Sequence, residues 1–289
     1  MSEIETMAEG LAFPEGPVAM PDGSVILVEI EGGVVSRVFP GGRREVVAET
    51  GGGPNGAAFG PDGRLWICNN GGRGGERGSI QSVDPDTGAV ETVYTEVEGQ
   101  RLSAPNDLVF DAAGGFWFTD HGKTNERSRD HGGLYYARTD GRTIREVAYP
   151  LEAPNGVGLS PDETRVYVAE THTGRLRSFE VTAPGELALR FGKATRGRLT
   201  GTVEGEDLLD SLAVDSAGRV CVATIRNGGI TVFTGDGART FVPTGDRITT
   251  NICFGGADMK TAYITGSRTG RLLRTTWDLP GHRLNFNPY

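Results

Sequence analysis

Six side chains with a carboxylate or amide oxygen recur along the chain at intervals of 40 to 55 residues. Each stands five or six positions before a turn sequence, such as PDG at positions 21–23 and 61–63. They are Glu15, Asn55, Asn106, Asn155, Asp210 and Asn251. Calcium takes six to eight oxygen ligands, so such residues, if they converged, would suit a hard cation. The set contains no His or Cys, which disfavours zinc. The alternative is that these residues only fill turns and cap strands.

The sequence around each of these residues follows one pattern, which predicts the elements that position it. A short apolar segment, a turn and a segment alternating aromatic and β-branched residues come in succession, as in PNDLVFDAAGGFWFTDH. Asp-Gly and Gly at the turns favour tight hairpins. A second hairpin follows, as in GLYYARTDGRTIREVA. About four strands per repeat are typical of a propeller blade.

Six repeats predict an all-β, six-bladed β-propeller, a single domain over residues 1–289 with a central metal site. The 38 residues after Asn251 and the 14 before Glu15 make about one blade. We therefore expect the N-terminal strand to complete the last blade. No long segment has helical periodicity, so we expect little helix. Equivalent residues at the starts of the innermost strands would then point to one axis.

Composition and charge argue against several kinds of partner. The 289-residue chain has a formal net charge of −9 and no basic stripe, which disfavours nucleic acid and anionic membranes. No apolar run approaches the roughly 18 residues of a membrane span, and the N-terminus lacks a signal-like apolar region. Cys68, Cys221 and Cys253 lie in apolar segments, which predicts buried thiols and a cytoplasmic protein. The sequence indicates no oligomeric state.

A further group of ionisable residues ends the strands that follow the turns. Asp120 and His121 close the segment FWFTDHG, where an Asp–His pair beside a metal could transfer protons, since His titrates near neutrality. His172 occupies the corresponding place in the fourth repeat and could bind substrate. The alternatives are that His121 only lines a cavity and that His172 makes a strand-end hydrogen bond.

Four segments resemble the SMP-30/gluconolactonase-like six-bladed propellers, whose relatives include paraoxonases and diisopropyl fluorophosphatase. They are FPEGPV at Glu15, SAPNDLVFD at Asn106, APNGVGLSPD at Asn155 and DSLAVD at Asp210. The resemblance implies a divalent metal held by these four residues, with Ca²⁺ expected first and Zn²⁺, Mn²⁺ or Mg²⁺ as alternatives. It further implies that Asp210 is a base or nucleophile. Asn55 and Asn251 match less constant positions and would contact substrate or water rather than the metal.

Two positions depart from the family pattern. Sugar-lactone members often carry an Arg two residues before the Asn-Asp pair, where this chain has Ala104. They commonly have a Gly after the metal-binding Asp, where this chain has Ser211. Both departures leave the identity of the substrate open. Arg101, with Arg73 and Arg77, could supply a cation near the mouth, although each also fits a solvated loop charge.

Three functional hypotheses follow. In the first, implied by the resemblance, the chain is a lactonase-type carboxylic ester hydrolase acting on a small molecule. The metal would polarise the lactone carbonyl, and water activated by Asp210 or by the Asp120–His121 pair would attack it. Asp107 would orient water or substrate. The second hypothesis keeps the metal but changes the reaction to phosphotriester hydrolysis or another small-molecule conversion. The third is a non-catalytic binding propeller in which calcium serves stability alone.

Overall fold

A computed structural model describes residues 3–72, 74, 76–188, 192 and 194–289. Arg73 lies outside the described residues. The chain forms six antiparallel sheets, one after another along the sequence, which confirms the predicted all-β, six-bladed propeller. Among the described residues, no helix is long and apolar enough to cross a membrane.

Blades 1 to 3 each run from an innermost strand at the axis to an outermost strand at the surface. Blade 1 comprises β2 (Pro14–Ala19), β3 (Val25–Glu29), β4 (Val34–Val38) and β5 (Arg44–Glu49). Blade 2 comprises β6 (Pro54–Phe59), β7 (Leu65–Asn69), β8 (Ser79–Val83) and β9 (Val90–Tyr94). A two-stranded ribbon follows, β10 (Glu96–Val97) and β11 (Gln100–Arg101). Blade 3 comprises β12 (Pro105–Phe110), β13 (Gly115–Asp120), β14 (Gly132–Arg138) and β15 (Ile144–Leu151).

Blades 4 to 6 repeat the arrangement. Blade 4 comprises β16 (Pro154–Leu159), β17 (Arg165–Glu170), β18 (Arg175–Ala183) and β20 (Arg198–Thr202), with β19 (Glu186–Leu187) also paired to β18. Blade 5 comprises β21 (Leu208–Val214), β22 (Val220–Ile225), β23 (Gly229–Phe233) and β24 (Arg239–Pro243). Blade 6 comprises β25 (Thr249–Gly255), β26 (Thr261–Gly266), β27 (Arg271–Thr276) and β1 (Glu5–Ala8). Strand β1 thus pairs with β27, and the first and last strands meet in this sheet.

The core consists of apolar layers between neighbouring blades, and strand alternation explains how each strand serves two of them. In β13, Phe116 and Phe118 pack toward blade 2, whereas Trp117 packs toward blade 4. All three side chains are fully buried. Successive residues of a strand face opposite sides of the sheet, so the aromatic run supplies both layers. Of the predicted buried thiols, Cys68 and Cys221 are buried, but Cys253 is only partly so because it lines the channel.

The chain after β27, residues 277–289, crosses the end of the channel where the innermost strands terminate; we call this segment the strap. The Gly281 amide donates to Met259 in blade 6 and the His282 amide to Val214 in blade 5. Asn285 donates to Phe110 O in blade 3, and Asn287 Oδ1 accepts from the Phe59 amide in blade 2. The Tyr289 hydroxyl donates to Met20 O, 2.7 Å away, after blade 1. The strap therefore closes the channel at this end, over a small cavity of about 70 Å³.

Candidate active site

The six polar residues identified by spacing lie at equivalent places, near the start of the innermost strand of each blade; we call them the axial ring. They lie on β2, β6, β12, β16, β21 and β25: Glu15, Asn55, Asn106, Asn155, Asp210 and Asn251. Each is between 2% and 7% exposed. The ring stands at the opposite end of the innermost strands from the strap, so the open mouth of the channel is on its side.

A β-bulge accompanies the axial ring in every blade. In blade 3, Asn106 and Asp107 together oppose the single residue Thr119, because Pro105 pairs with Asp120 and Leu108 with Phe118. Blades 2, 4 and 5 repeat this arrangement at the ring residue and its successor. In blades 1 and 6 the irregularity lies one residue away. A bulge re-aims side chains and bends the strand, which allows the ring residue to leave the regular alternation.

Small residues after the ring position bring neighbouring blades together. A Cβ on Gly56 would lie 2.6 Å from Asp107 Cα, and one on Gly156 would lie 2.7 Å from the Leu212 amide nitrogen. Neither approach leaves room for a side chain. The wall of the channel at this level is therefore main chain packed on main chain, with the ring side chains projecting from it.

Hydrogen bonds within the ring separate its members. Asn251 Nδ2 donates to Glu15 Oε2 at 2.7 Å, and the Ile252 amide donates to Asn251 Oδ1. The amide of Asn251 is thus used in orienting Glu15. Ser211 Oγ donates to Asn155 Oδ1 at 3.3 Å, so the residue that departs from the family pattern is buried against a ring member.

Asn106 shows the clearest sign that the ring fits a cation. Its Oδ1 atom is buried and has no hydrogen-bond partner among the described residues, and an unpaired buried carbonyl oxygen is costly. Glu15 and Asp210 add carboxylate oxygens, the ligand type that hard divalent cations prefer. The described residues contain no group of three or more His, Cys, Asp and Glu arranged around a metal. A metal here would therefore need the amides as ligands.

Three buried carboxyl groups share the centre, and their pKa values rise together. Burial raises the pKa of Glu15 to about 7. Burial first, and then the charge of Glu15, raise the pKa of Asp107 to about 8. The same causes in the same order raise the pKa of Asp210 well above its usual range, with a further contribution from Asp107. The ionisation of Asp107 is thus coupled to that of Glu15 and Asp210. A cation at the centre would favour the ionised form of all three carboxyl groups and lower their pKa values.

A pocket of about 1100 Å³, including its opening to solvent, lies over Asn106 at the mouth. Ala104, His121 and Lys123 line it. The rings of His121 and His172 lie 5.5 Å apart, edge to face. Burial lowers the pKa of His121, and burial together with the charge of His121 lowers that of His172 to about 4. Both imidazoles are therefore neutral near pH 7.

Asp120 is not arranged as a proton-transfer partner of His121. Its carboxylate accepts the amides of Ser103 and Ala104, both at 2.7 Å, and that of Gly122 at 3.0 Å. His121 Nδ1 instead lies 3.1 Å from the carbonyl of Gly122. The prediction that these residues form a catalytic pair is therefore not supported by the hydrogen bonds of the described residues.

The other blades explain what Asp120 does. The residue that ends the second strand accepts an amide of the loop leading into the innermost strand in three further blades. These contacts are Glu29 with Ala12, Asn69 with Gly53, and Glu170 with Glu152. Asp120 is the blade 3 member of this set of loop anchors. Comparing the ends of the segments VILVE, LWICN, FWFTD and VYVAE would have revealed the set from sequence.

The predicted cations of the mouth are placed elsewhere. Arg101 is exposed at the end of the ribbon strand β11 and does not line the mouth pocket. Arg77 is also exposed, and its positive charge contributes to lowering the pKa of Lys123. The lysine that lines the pocket was missed because it lies in an irregular loop that strand periodicity does not address.

The fold and site define a class of six-bladed propeller with oxygen-bearing side chains gathered on the axis. A family model for the SMP-30/Gluconolactonase/LRE-like region matches residues 13–268, and the chain belongs to that family.

Known proteins similar to the chain carry related names. It is 29% identical to a gluconolactonase of Zymomonas mobilis, over 94% of this chain and 81% of the relative. It is 32% identical to lactonase drp35 of Staphylococcus haemolyticus, over 78% of this chain and 67% of that protein. The solved structure of a gluconolactonase from Xanthomonas campestris superposes with a TM-score of 0.77 at 26% identity, covering 96% of this chain and 89% of the other.

Proposed function

We propose that the chain is a lactonase-type carboxylic ester hydrolase that opens a small lactone with the aid of a divalent cation. Glu15, Asn106, Asn155 and Asp210 would hold the cation, with Ca²⁺ expected before Zn²⁺, Mn²⁺ or Mg²⁺ because the donors are all hard oxygens. The observation that carries the proposal is the unpartnered Asn106 Oδ1 among three buried carboxyl groups, directly beneath the mouth pocket. The gluconolactonase and lactonase relatives support the reaction class.

The chain's own residues supply the proton chemistry. When bound, the cation would polarise the lactone carbonyl and stabilise negative charge on its oxygen. Asp210, buried and ionised once the cation is bound, would take a proton from water as the water oxygen bonds to the carbonyl carbon. The ring C–O bond then breaks, and the departing ring oxygen takes the proton back from Asp210. The carboxylic acid so formed would lose its proton to solvent, and His121, neutral and lining the pocket, would relay it.

Asp107 would position the attacking water. Its Oδ1 accepts the Leu108 amide at 2.9 Å and its Oδ2 the Val157 amide at 3.2 Å. Two backbone donors from adjacent blades fix the carboxyl plane, so its remaining lone pairs have a set direction. A positioned group of this kind lowers the entropic cost of bringing water and lactone together.

The test compares Asp210→Asn with Asp86→Asn, whose side chain is exposed in a turn of blade 2. Lactone hydrolysis would be followed by acid release in a pH-stat, with calcium-loaded and chelator-treated protein. We expect Asp210→Asn to lower kcat by about 10²–10⁴-fold, Asp86→Asn to leave it unchanged, and chelation to abolish turnover reversibly. Full activity of Asp210→Asn with a lowered melting temperature would instead indicate a purely structural cation site.

A further inference from the structure

One lysine stands at the mouth of an otherwise acidic protein. The sequence contains three lysines, at positions 123, 193 and 260, within a formal net charge of −9. Of the described residues that line the mouth pocket, Lys123 alone carries a full charge near pH 7. Asn106 of the axial ring lines the same pocket, so a single small molecule can reach both.

Unlike Arg129 and Arg177, Lys123 has no ionic partner among the described residues. Its ammonium donates to the carbonyl of Glu76, and no carboxylate of the described residues lies within 4.0 Å of it. Arg129, in the same loop, pairs with Glu152 at 3.3 Å, and Arg177 pairs with Glu170 at 2.8 Å. An ammonium has three donors, so two remain for a ligand. Burial, followed by the charge of Arg77, lowers the Lys123 pKa, and a bound anion would reverse that effect.

The loop that carries Lys123 holds it in place before any ligand arrives. The Gly122 amide donates to the anchor Asp120 at 3.0 Å. The Asp130 amide donates to the Lys123 carbonyl at 2.9 Å, and Thr124 bridges to Arg129. The main chain on both sides of the lysine is therefore held, by blade 3 on one side and by the returning arm of the loop on the other. A preorganised cation loses less conformational entropy when it binds an anion.

We propose that Lys123 determines substrate specificity by binding an anionic group, a carboxylate or a phosphate, on the lactone. This inference rests on the proposed lactonase function and names its substrate class. The anion would sit at the Lys123 end of the mouth pocket while the lactone carbonyl lies over Asn106. A neutral sugar lactone would leave the ammonium without an ionic partner.

The experiment compares three lactones that differ in charge: glucono-1,5-lactone, glucaro-1,4-lactone and 6-phosphoglucono-1,5-lactone. We expect kcat/KM of the native protein to be at least tenfold higher for one or both anionic lactones, because hydrogen bonds to charged groups are stronger than neutral ones. Lys123→Gln should raise KM for the anionic lactones about tenfold and leave the neutral lactone within twofold. Lys123→Arg should restore most of the loss. Comparing the carboxylate-bearing lactone with the phosphate-bearing lactone shows which anionic group Lys123 binds.

The matched control is Lys260→Gln, in the turn between β25 and β26 at the strap end of the channel, which should change none of the rates. Equal effects of Lys123→Gln on neutral and anionic lactones, or a native preference for the neutral lactone, would overturn the inference. Failure of the proposed function gives a different result, no turnover of any lactone. Calorimetric titration with glucarate then decides: binding lost in Lys123→Gln but kept in Lys260→Gln supports the anion site, and no binding to the native protein refutes it.

Discussion

Removing the cation should make the stability of this propeller fall steeply as pH rises. Asp107 keeps its proton in the folded, metal-free protein up to a pKa of about 8, against an ordinary value of 3.8. Between these pH values the unfolded chain has lost the proton that the folded chain still binds. The folded state therefore loses stability with each pH unit in this window, and the loss levels off above pH 8. Glu15 and Asp210 act in the same direction.

The size of the effect follows from the pKa of Asp107. At about 1.4 kcal/mol per pH unit, the rise from 3.8 to about 8 corresponds to roughly 5 kcal/mol between pH 4 and pH 8. Native domains are stable by only about 5–15 kcal/mol. Metal-free protein at pH 8 should consequently unfold at a much lower urea concentration than at pH 5. Saturating Ca²⁺ should remove most of the difference, since a bound cation stabilises the ionised carboxylates.

Urea unfolding followed by circular dichroism would measure this, on chelator-treated protein at pH 5 and pH 8. Asp107→Asn cannot ionise at this position and should show a shallower pH dependence, with the contributions of Glu15 and Asp210 remaining, whereas Asp86→Asn should keep the native slope. Equal unfolding free energies for the metal-free native protein at both pH values would refute the reasoning. The reasoning would also be refuted if Asp107→Asn kept the native slope, because the pH dependence of the unfolding free energy would then not arise from that carboxyl group.

Three further substitutions or truncations test the architecture. Gly56→Ala places a methyl group against Asp107 Cα and should destabilise by about 1–3 kcal/mol in urea unfolding; Gly235→Ala, in open space, should not. Asp120→Asn should cost about 1–3 kcal/mol through weakened loop anchoring while kcat changes only a few-fold; a thousandfold loss of kcat at native stability would restore a catalytic role. Deleting residues 282–289 should lower the melting temperature by several degrees in calorimetry, and an unchanged melting temperature would show that the strap adds nothing to stability.

The repeat pattern was sufficient for the blade architecture and for the axial ring because both depend on local signals. Turn chemistry and strand alternation recur in each repeat, and a position that recurs in sequence recurs in space. Local signals could not predict the hydrogen bond between Asn251 and Glu15. The two residues are 236 positions apart, and they meet only because the first and last blades are neighbours in the closed ring.

Asp120 shows a different limit. A buried carboxylate at a strand end beside a His fits both a catalytic base and a loop anchor, and a single blade does not distinguish them. The distinction came from the hydrogen bonds of the equivalent residues Glu29, Asn69 and Glu170, none of which is directly followed by a His. Arg101 remains only a candidate cation at the level of sequence for a related reason, since the ribbon of β10 and β11 follows no repeat.

The main-chain wall around the axial ring has a consequence for how such a site can change. Where Gly56 and Gly156 meet the next blade, any added side chain displaces backbone, and that displacement reaches the neighbouring ring residue. Mutational tolerance should therefore be lowest around the ring and highest in the loops above it. New substrate preferences would then arise by exchanging residues such as Lys123 at the mouth, over a reaction centre that accepts almost no alteration.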